Sequence, residues 1–289
     1  MTLFLVMSFG AALIWLAVIA AVCFAMRSQR HVVTEPVASR LILWGGAIVP
    51  SAVIVALLLY AMWLMPSLRP FAVAGEAALR IEVTGRQYWW SVTYHHAHTP
   101  VVSANEIRLP VGRRVEVALK SDDVIHSFWI PALGGKMDMI PGRTNRLSLL
   151  AQKTGVFRGV CAEYCGTSHA LMALTVVVME PSAFEAWLAA EAKPSPGVGG
   201  EGEALFLRHG CGACHHVDGS GAAGLLGPDL SHFGSRQMLA AGIAANTEAN
   251  IERFIRAPAA FKPGVDMPAF AMLPPQDIRA IATWLKGLQ

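Results

Sequence analysis

The sequence predicts a membrane protein of several domains, with two apolar spans, an all-β outer domain and a smaller helical module joined by a short linker. Three observations carry this. Residues 2–26 and 41–65 are two charge-free runs of 25 residues each. A following stretch alternates apolar and polar residues between regular Gly and Pro turns. The segment Ala192-Lys-Pro-Ser-Pro-Gly-Val-Gly-Gly200 then interrupts all periodicity.

Composition agrees. Of 289 residues, 54% are hydrophobic and only 15% charged, a departure from the soluble average toward a membrane protein. A net charge of +3 is too small to suggest a nucleic-acid partner. Four of the five cysteines form two compact pairs, 161/165 and 211/214, which point to cofactors rather than a disulfide framework. Cys23 stands alone in an apolar run and reads as inert.

Each span, at about 1.5 Å per residue, crosses a hydrocarbon core of about 30 Å with some tilt. The first lacks a basic leader and a clear cleavage site, so it is expected to be retained. Arg27, Arg30, His31 and Arg40, against only Glu35, place the intervening loop on the cytoplasmic side. Both termini and everything after residue 66 are then expected outside, in the periplasm of a bacterial inner membrane. Pro50 is expected to kink the second span. Neither run contains a carboxylate, Lys or His.

Residues 71–191 read as one domain. Ala78–Gly85, Arg114–Lys120 and Thr144–Leu150 alternate as half-buried strands, and such a series predicts a sandwich or barrel. Pro181–Glu191 reads as a closing helix with Phe184, Trp187 and Leu188 on one face. Gln87-Tyr-Trp-Trp90 is an aromatic cluster read as part of a strand. His95, His96 and His98 read as a solvated hairpin tip.

The chemistry concentrates in Cys161-Ala-Glu-Tyr-Cys-Gly-Thr-Ser-His-Ala-Leu-Met172. Thiolates and thioethers are soft donors and imidazole is intermediate, a mixture that suits copper. Two thiolates on one short loop can bridge two metal ions, each needing a terminal nitrogen. His169 offers one, and His126, at the start of an apolar run, is the best candidate for the other. Met172 offers a soft axial contact and the Glu163 carbonyl a hard one. A Cys161–Cys165 disulfide leaves the His and Met offsets unexplained, and zinc has no need of the Met.

After the linker at 192–200 comes Cys211-Gly-Ala-Cys-His215, a C-x-x-C-H signal for c-type haem attachment. Cys211 and Cys214 are expected to bond the haem and His215 to ligate its iron. Met267, in a Pro-flanked turn, is the expected sixth ligand, with Met272 and Met238 as alternatives. Helices are expected over Glu203–His209, over Glu248–Arg256 behind a Thr247 N-cap, and over Pro275–Leu288.

The string C-x-E-x-C-x-x-x-H-x-x-M, with an upstream D-V-x-H-S-F-W-x-P at Asp123–Pro131 and a match extending over Val124–Arg143, resembles subunit II of cytochrome c oxidase. Cys211–His215, Gly227-Pro-Asp-Leu230 and Met267-Pro268 resemble class I cytochromes c. Together they imply a two-helix transmembrane hairpin, a cupredoxin-like domain and an all-α cytochrome c domain over residues 201–289, as in caa-type oxidases. The resemblance implies a binuclear CuA centre, haem c, and a magnesium ion shared through the Glu163 carboxylate with another subunit. It implies that electrons enter near an aromatic cluster, here Tyr88, Trp89 and Trp90, with Tyr88 where the family usually has Trp. It implies partnership with catalytic subunit I and with subunit III, and a cytochrome c or upstream complex as donor. In the resembled cytochromes the first and last helices cross, which Gly202 and Phe206 against Trp284 would suit. The carboxylate that the family often places near the start of its second span is absent from residues 41–65. No acid/base pair, activated nucleophile or phosphate loop appears, so no residue is expected to be catalytic. The alternatives are a tethered electron carrier or copper protein without an oxidase partner, and a CuA protein like nitrous-oxide reductase.

Overall fold

A computed structural model describes residues 2–27, 34–68, 79–95 and 100–289. They divide into two compact units, Met1–Ser67 and Leu68–Gln289. In the first, helix α1 covers Thr2–Arg27. A second helix runs as α2 (Glu35–Leu41), a π-helical stretch (Ile42–Ile48) and α3 (Val49–Leu68). Two helical segments, Met7–Arg27 and Glu35–Trp63, are long and apolar enough to cross a membrane.

The expectation for Pro50 takes a specific form here. Its missing N–H and its ring disturb the turn before it, and the helix widens to π geometry just there, ending at Ile48. The second helix also starts earlier than the charge-free run. Glu35 lies in its first turn, so a carboxylate does stand at the start of that helix, which corrects the reading from residues 41–65 alone.

The second unit opens with a β-sandwich. One sheet has the order β3-β2-β1-β5-β8 and the other β4-β10-β9-β6-β7. The strands are β1 (Leu79–Arg86), β2 (Trp89–His95), β3 (Val101–Ala104), β4 (Glu106–Pro110) and β5 (Arg114–Ser121). They continue as β6 (His126–Trp129), β7 (Met137–Met139), β8 (Asn145–Leu150), β9 (Gly155–Cys161) and β10 (Ala173–Met179). The three strands expected from alternation are β1, β5 and β8, within one residue at each end. In β1 every second residue is buried, the period of a strand with one face on a core.

That core includes Ile81, Trp90, Tyr94, Ile107, Leu119 and Phe128, all fully buried. Helix α4 (Pro181–Glu191) closes it with Phe184 and Leu188, and Trp187 meets Tyr94 edge-on at 5.1 Å. The aromatic cluster is corrected in part. Gln87 and Tyr88 form the turn between β1 and β2, and only Trp89 and Trp90 belong to a strand. His95 ends β2, while His96 and His98 fall outside the described residues.

The helical module comprises α5 (Gly200–Arg208), α6 (Glu248–Arg256), α7 (Pro258–Phe261) and α8 (Pro275–Gly287), with a short ladder between β11 (Met238–Leu239) and β12 (Ala244–Ala245). Helix α5 begins and ends slightly before the expected Glu203–His209. Thr247 caps α6 by accepting from the Asn250 N–H at 3.3 Å. Helices α5 and α8 cross at Gly202: a Cβ there would stand 2.2 Å from Trp284 Cβ and 2.7 Å from the Ala280 carbonyl oxygen. Only glycine allows that approach. Phe206 packs on Trp284 at 5.1 Å beside it.

The stretch read as a linker has no regular structure before Gly200, but it is not loose. Ser195 is buried and donates to the Gln289 carbonyl, and the Lys193 carbonyl meets His232 Nε2 at 2.9 Å.

Candidate metal and haem sites

One end of the sandwich gathers three segments: the β1–β2 turn, the β5–β6 loop and the β9–β10 loop. Hydrogen bonds tie them. The Gln87 N–H donates to Asp123 Oδ2 at 2.6 Å, and Gln87 Nε2 donates to the Cys165 carbonyl at 2.6 Å. Strand β9 delivers Cys161 at its last residue, opposite Phe128 of β6. His126 is the first residue of β6. The loop then turns at Cys165, makes a short 3₁₀ turn over His169–Leu171, and enters β10 just after Met172.

All six expected donors converge. The Cys161 and Cys165 sulfurs are unbonded and 3.8 Å apart. His126 Nδ1 lies 3.8 Å from Cys161 Sγ, and His169 Nδ1 lies 3.7 Å from Cys165 Sγ. Met172 Sδ is 3.9 Å from Cys165 Sγ, and the Glu163 carbonyl oxygen is 3.2 Å from Cys161 Sγ. The donor atoms of His126, Cys161 and Cys165 all fall within 4.8 Å of one another. His126, Cys161, Cys165 and Met172 are buried and His169 is partly so.

The electrostatics fit a cation between the sulfurs. The Cys161 thiol is held down to about 3, first by its contact with Cys165 and against the effect of burial. Cys165 is pushed the opposite way, because a second thiolate beside the first, away from water, is strongly opposed. A buried metal charge removes that opposition, so both sulfurs can ionise. For His126, burial disfavours the charged ring, but the contacts to Cys161 and Asp123 outweigh it and raise its basicity.

Two residues support the site in roles the sequence does not show: Asp123, which opens the D-V-x-H motif, and Gly85. Asp123 Oδ1 is 2.7 Å from His126 Nε2. A carboxylate only accepts, so Nε2 carries the proton and Nδ1 keeps its lone pair toward Cys161. A Cβ at Gly85 would stand 2.8 Å from the His126 ring, so the strand must have glycine there. A glycine inside an alternating strand is the one sequence signal that could have marked this approach.

Of the aromatics, Tyr88 and Trp90 are buried and Trp89 is half-buried. Trp90 lies 6.1 Å from the His126 ring and 5.9 Å from Phe128. Tyr88 lies under the copper loop, its hydroxyl accepting from the Thr167 N–H at 3.0 Å. The Glu163 side chain is exposed.

In the helical module, Cys211 and Cys214 are free thiols. Cys211 opens a 3₁₀ turn over Cys211–Ala213, with two residues between it and the end of α5, and Cys214 follows that turn. Burial pushes the Cys211 thiol up to about 11. His215 Nδ1 donates to the Pro228 carbonyl at 2.8 Å, leaving Nε2 as the lone-pair nitrogen an iron requires. Burial holds the ring neutral. Arg236, missed in the sequence, is buried with no hydrogen-bond partner for Nε, an orphan that a haem carboxylate would satisfy. The residues therefore fit a covalent haem. Met267 packs against the cluster containing Phe206 and Leu230, whereas Met272 is 77% exposed and Met238 lies in β11.

The fold and its donors define a class: a cupredoxin-like sandwich with a Cys₂His₂Met set, preceded by two apolar helices and followed by a cytochrome c domain. Comparison with known proteins narrows it. Residues 97–179 match the family described as cytochrome c oxidase subunit II, periplasmic domain, and residues 200–289 match cytochrome c. Cytochrome c oxidase subunit 2 of Alkalihalophilus pseudofirmus is 38% identical over 224 residues, which cover 76% of this chain and 64% of that protein's length. The same subunit from Artemia franciscana is 32% identical, covering 49% of this chain and 69% of the relative. A solved structure of the periplasmic domain of subunit II of cytochrome oxidase from Bradyrhizobium japonicum is 35% identical. It covers 41% of this chain and 96% of that one, with a TM-score of 0.38. The chain belongs to the cytochrome c oxidase subunit II family, whose two matched domains imply binding of copper and of haem c. The periplasmic-domain match and two apolar helices fit an inner-membrane protein.

Proposed function

We propose that this chain passes electrons into a terminal oxidase: from an external donor to haem c, from haem c to a binuclear CuA centre, and on to a catalytic subunit that reduces oxygen to water. The observation that carries it is the pairing of donors. Each of two adjacent sulfurs has its own imidazole Nδ1, at 3.8 and 3.7 Å, and a further soft or hard donor beside it. A mononuclear site would need one thiolate, and a disulfide would need none of the nitrogens.

In this reading Cys161 and Cys165 would supply the two sulfurs that hold a pair of coppers, and His126, His169, Met172 and the Glu163 carbonyl would be the remaining donors. A pair sharing one valence electron through two sulfurs changes its bond lengths little on reduction, which suits fast transfer. Cys211 and Cys214 hold the haem, with His215 and Met267 on its iron. Tyr88, Trp89 and Trp90 mark where electrons reach the copper domain. The chain itself turns over no substrate.

The exposed Glu163 carboxylate is suited to a magnesium ion shared with subunit I, since hard carboxylates take that ion. Subunit III and a cytochrome c or upstream complex are the further partners. The residue 1–70 region is the anchor, 71–191 the copper domain, 192–200 the link and 201–289 the haem domain. The arginines at 27, 30 and 40 place both termini and both domains on the periplasmic side. Purification of the intact complex tests the reading: a many-spanning haem subunit should accompany the chain. Its absence, with both cofactors present, would favour a tethered carrier.

A further inference from the structure

The haem domain does not merely follow the copper domain in sequence. Both outer domains belong to one compact unit, and the turn leading to Met267 lies directly on the copper loop. The Ser168 hydroxyl, fully buried and one residue before His169, donates to the Pro263 carbonyl at 2.6 Å. Lys262, 3% exposed, sends its ammonium across to the Tyr88 carbonyl. Gly264 packs beside Thr167 and the Tyr88 hydroxyl. The seam continues away from this point through the Ala173 N–H on the Ala241 carbonyl at 3.1 Å and the Gln237 N–H on Glu106 Oε2 at 3.0 Å.

A buried lysine is costly unless its ammonium is bonded. Here the lysine belongs to one domain and its acceptor to the other, so its ammonium is bonded across the seam where water is excluded. Ser168 is bonded in the same way, and its acceptor lies four residues before Met267. A covalent and hydrogen-bonded route between the candidate iron ligand and a candidate copper ligand therefore runs Met267, Pro263 carbonyl, Ser168 hydroxyl, His169.

We propose that Ser168 and Lys262 are positioning residues for electron transfer between the two centres. Lys262 latches the Met267 turn onto the β1–β2 turn, and Ser168 closes the bonded bridge from that turn to His169. The inference rests on the proposed electron path and adds to it a fixed junction between its two stations.

The test uses the full-length chain carrying both cofactors, with one electron photo-injected into the haem and its transfer to copper timed. Ser168→Ala and Lys262→Met should each slow transfer about tenfold, with the haem and copper absorption spectra unchanged. Ser168→Thr, which keeps the hydroxyl, should restore the rate. Amide hydrogen exchange over residues 262–267 should rise in Lys262→Met, a change that does not depend on turnover. Rates within about twofold of the parent in both variants would overturn the junction while leaving the path intact. If Ser168→Ala alters the copper spectrum, Lys262→Met decides by the same criterion. A parent chain in which haem never reduces copper would overturn the path itself, and the junction with it.

Discussion

The two candidate sites are built by opposite means. At the copper loop the sandwich does the positioning. Cys161 and His126 sit at the ends of neighbouring strands, and the loop between β9 and β10 brings the remaining four donors to within 4 Å of a cysteine sulfur. At the haem site one nitrogen is fixed, by the Pro228 carbonyl. The thiols lie at the start of a short 3₁₀ turn and just after it, and the proposed sixth ligand comes from an irregular segment more than fifty residues on. A metal has to select its ligands, so they must converge beforehand. A covalently attached group is already held and can complete its own pocket.

This contrast can be broken or sharpened by mutation. The largest effect is expected at the two sulfurs proposed to bridge the coppers. Cys161→Ser or Cys165→Ser should abolish the paired site, seen as loss of the near-infrared mixed-valence band and of at least one copper by metal analysis, while the haem spectrum is unchanged. Next comes Asp123→Ala, which leaves the His126 tautomer unfixed. Copper affinity should fall by about ten- to a hundredfold in competition titrations. Gly85→Ala should act on the same ring by steric push. A cost of about 1–3 kcal/mol is expected for forcing that contact, read as a lower melting temperature and weaker copper retention. In the haem domain the effects should be local. Met267→Ala should remove the sulfur-to-iron charge-transfer band but keep the haem attached. The smallest effect is expected at Met272, whose 77% exposure leaves it outside any pocket: Met272→Ala should keep that band.

Much of this is legible in the sequence because most donors of each site are close together in the chain, His126 and Met267 being the distant ones. Cys161 to Met172 and Cys211 to His215 are strings that declare their chemistry without a fold. The alternation of β1, β5 and β8 and the cap at Thr247 were legible for the same reason, being local. What the sequence left unread is long-range. Asp123 stands in the D-V-x-H motif, but nothing local tells that its carboxylate meets the His126 ring. Gly85 looked like the end of a strand. Lys262 and Arg236 are of a type ordinarily solvated, yet both are buried: Lys262 reaches across to the Tyr88 carbonyl of the sandwich, and Arg236 donates to the Asp229 carbonyl of its own domain. The turn at Gln87 and Tyr88 was read as strand because aromatic residues favour strands, while the tight return to β2 is a property of the β1–β2 register. The second helix began before its charge-free run because Glu35 and Pro36 suit a first turn even where they do not suit lipid.

The most direct measurement is the copper-to-haem ratio of the full-length chain, taken together with its near-infrared spectrum. Two coppers for each haem, with a mixed-valence band, is the result this account predicts. One copper per haem, zinc in its place, or a bond between the sulfurs of Cys161 and Cys165 would contradict it.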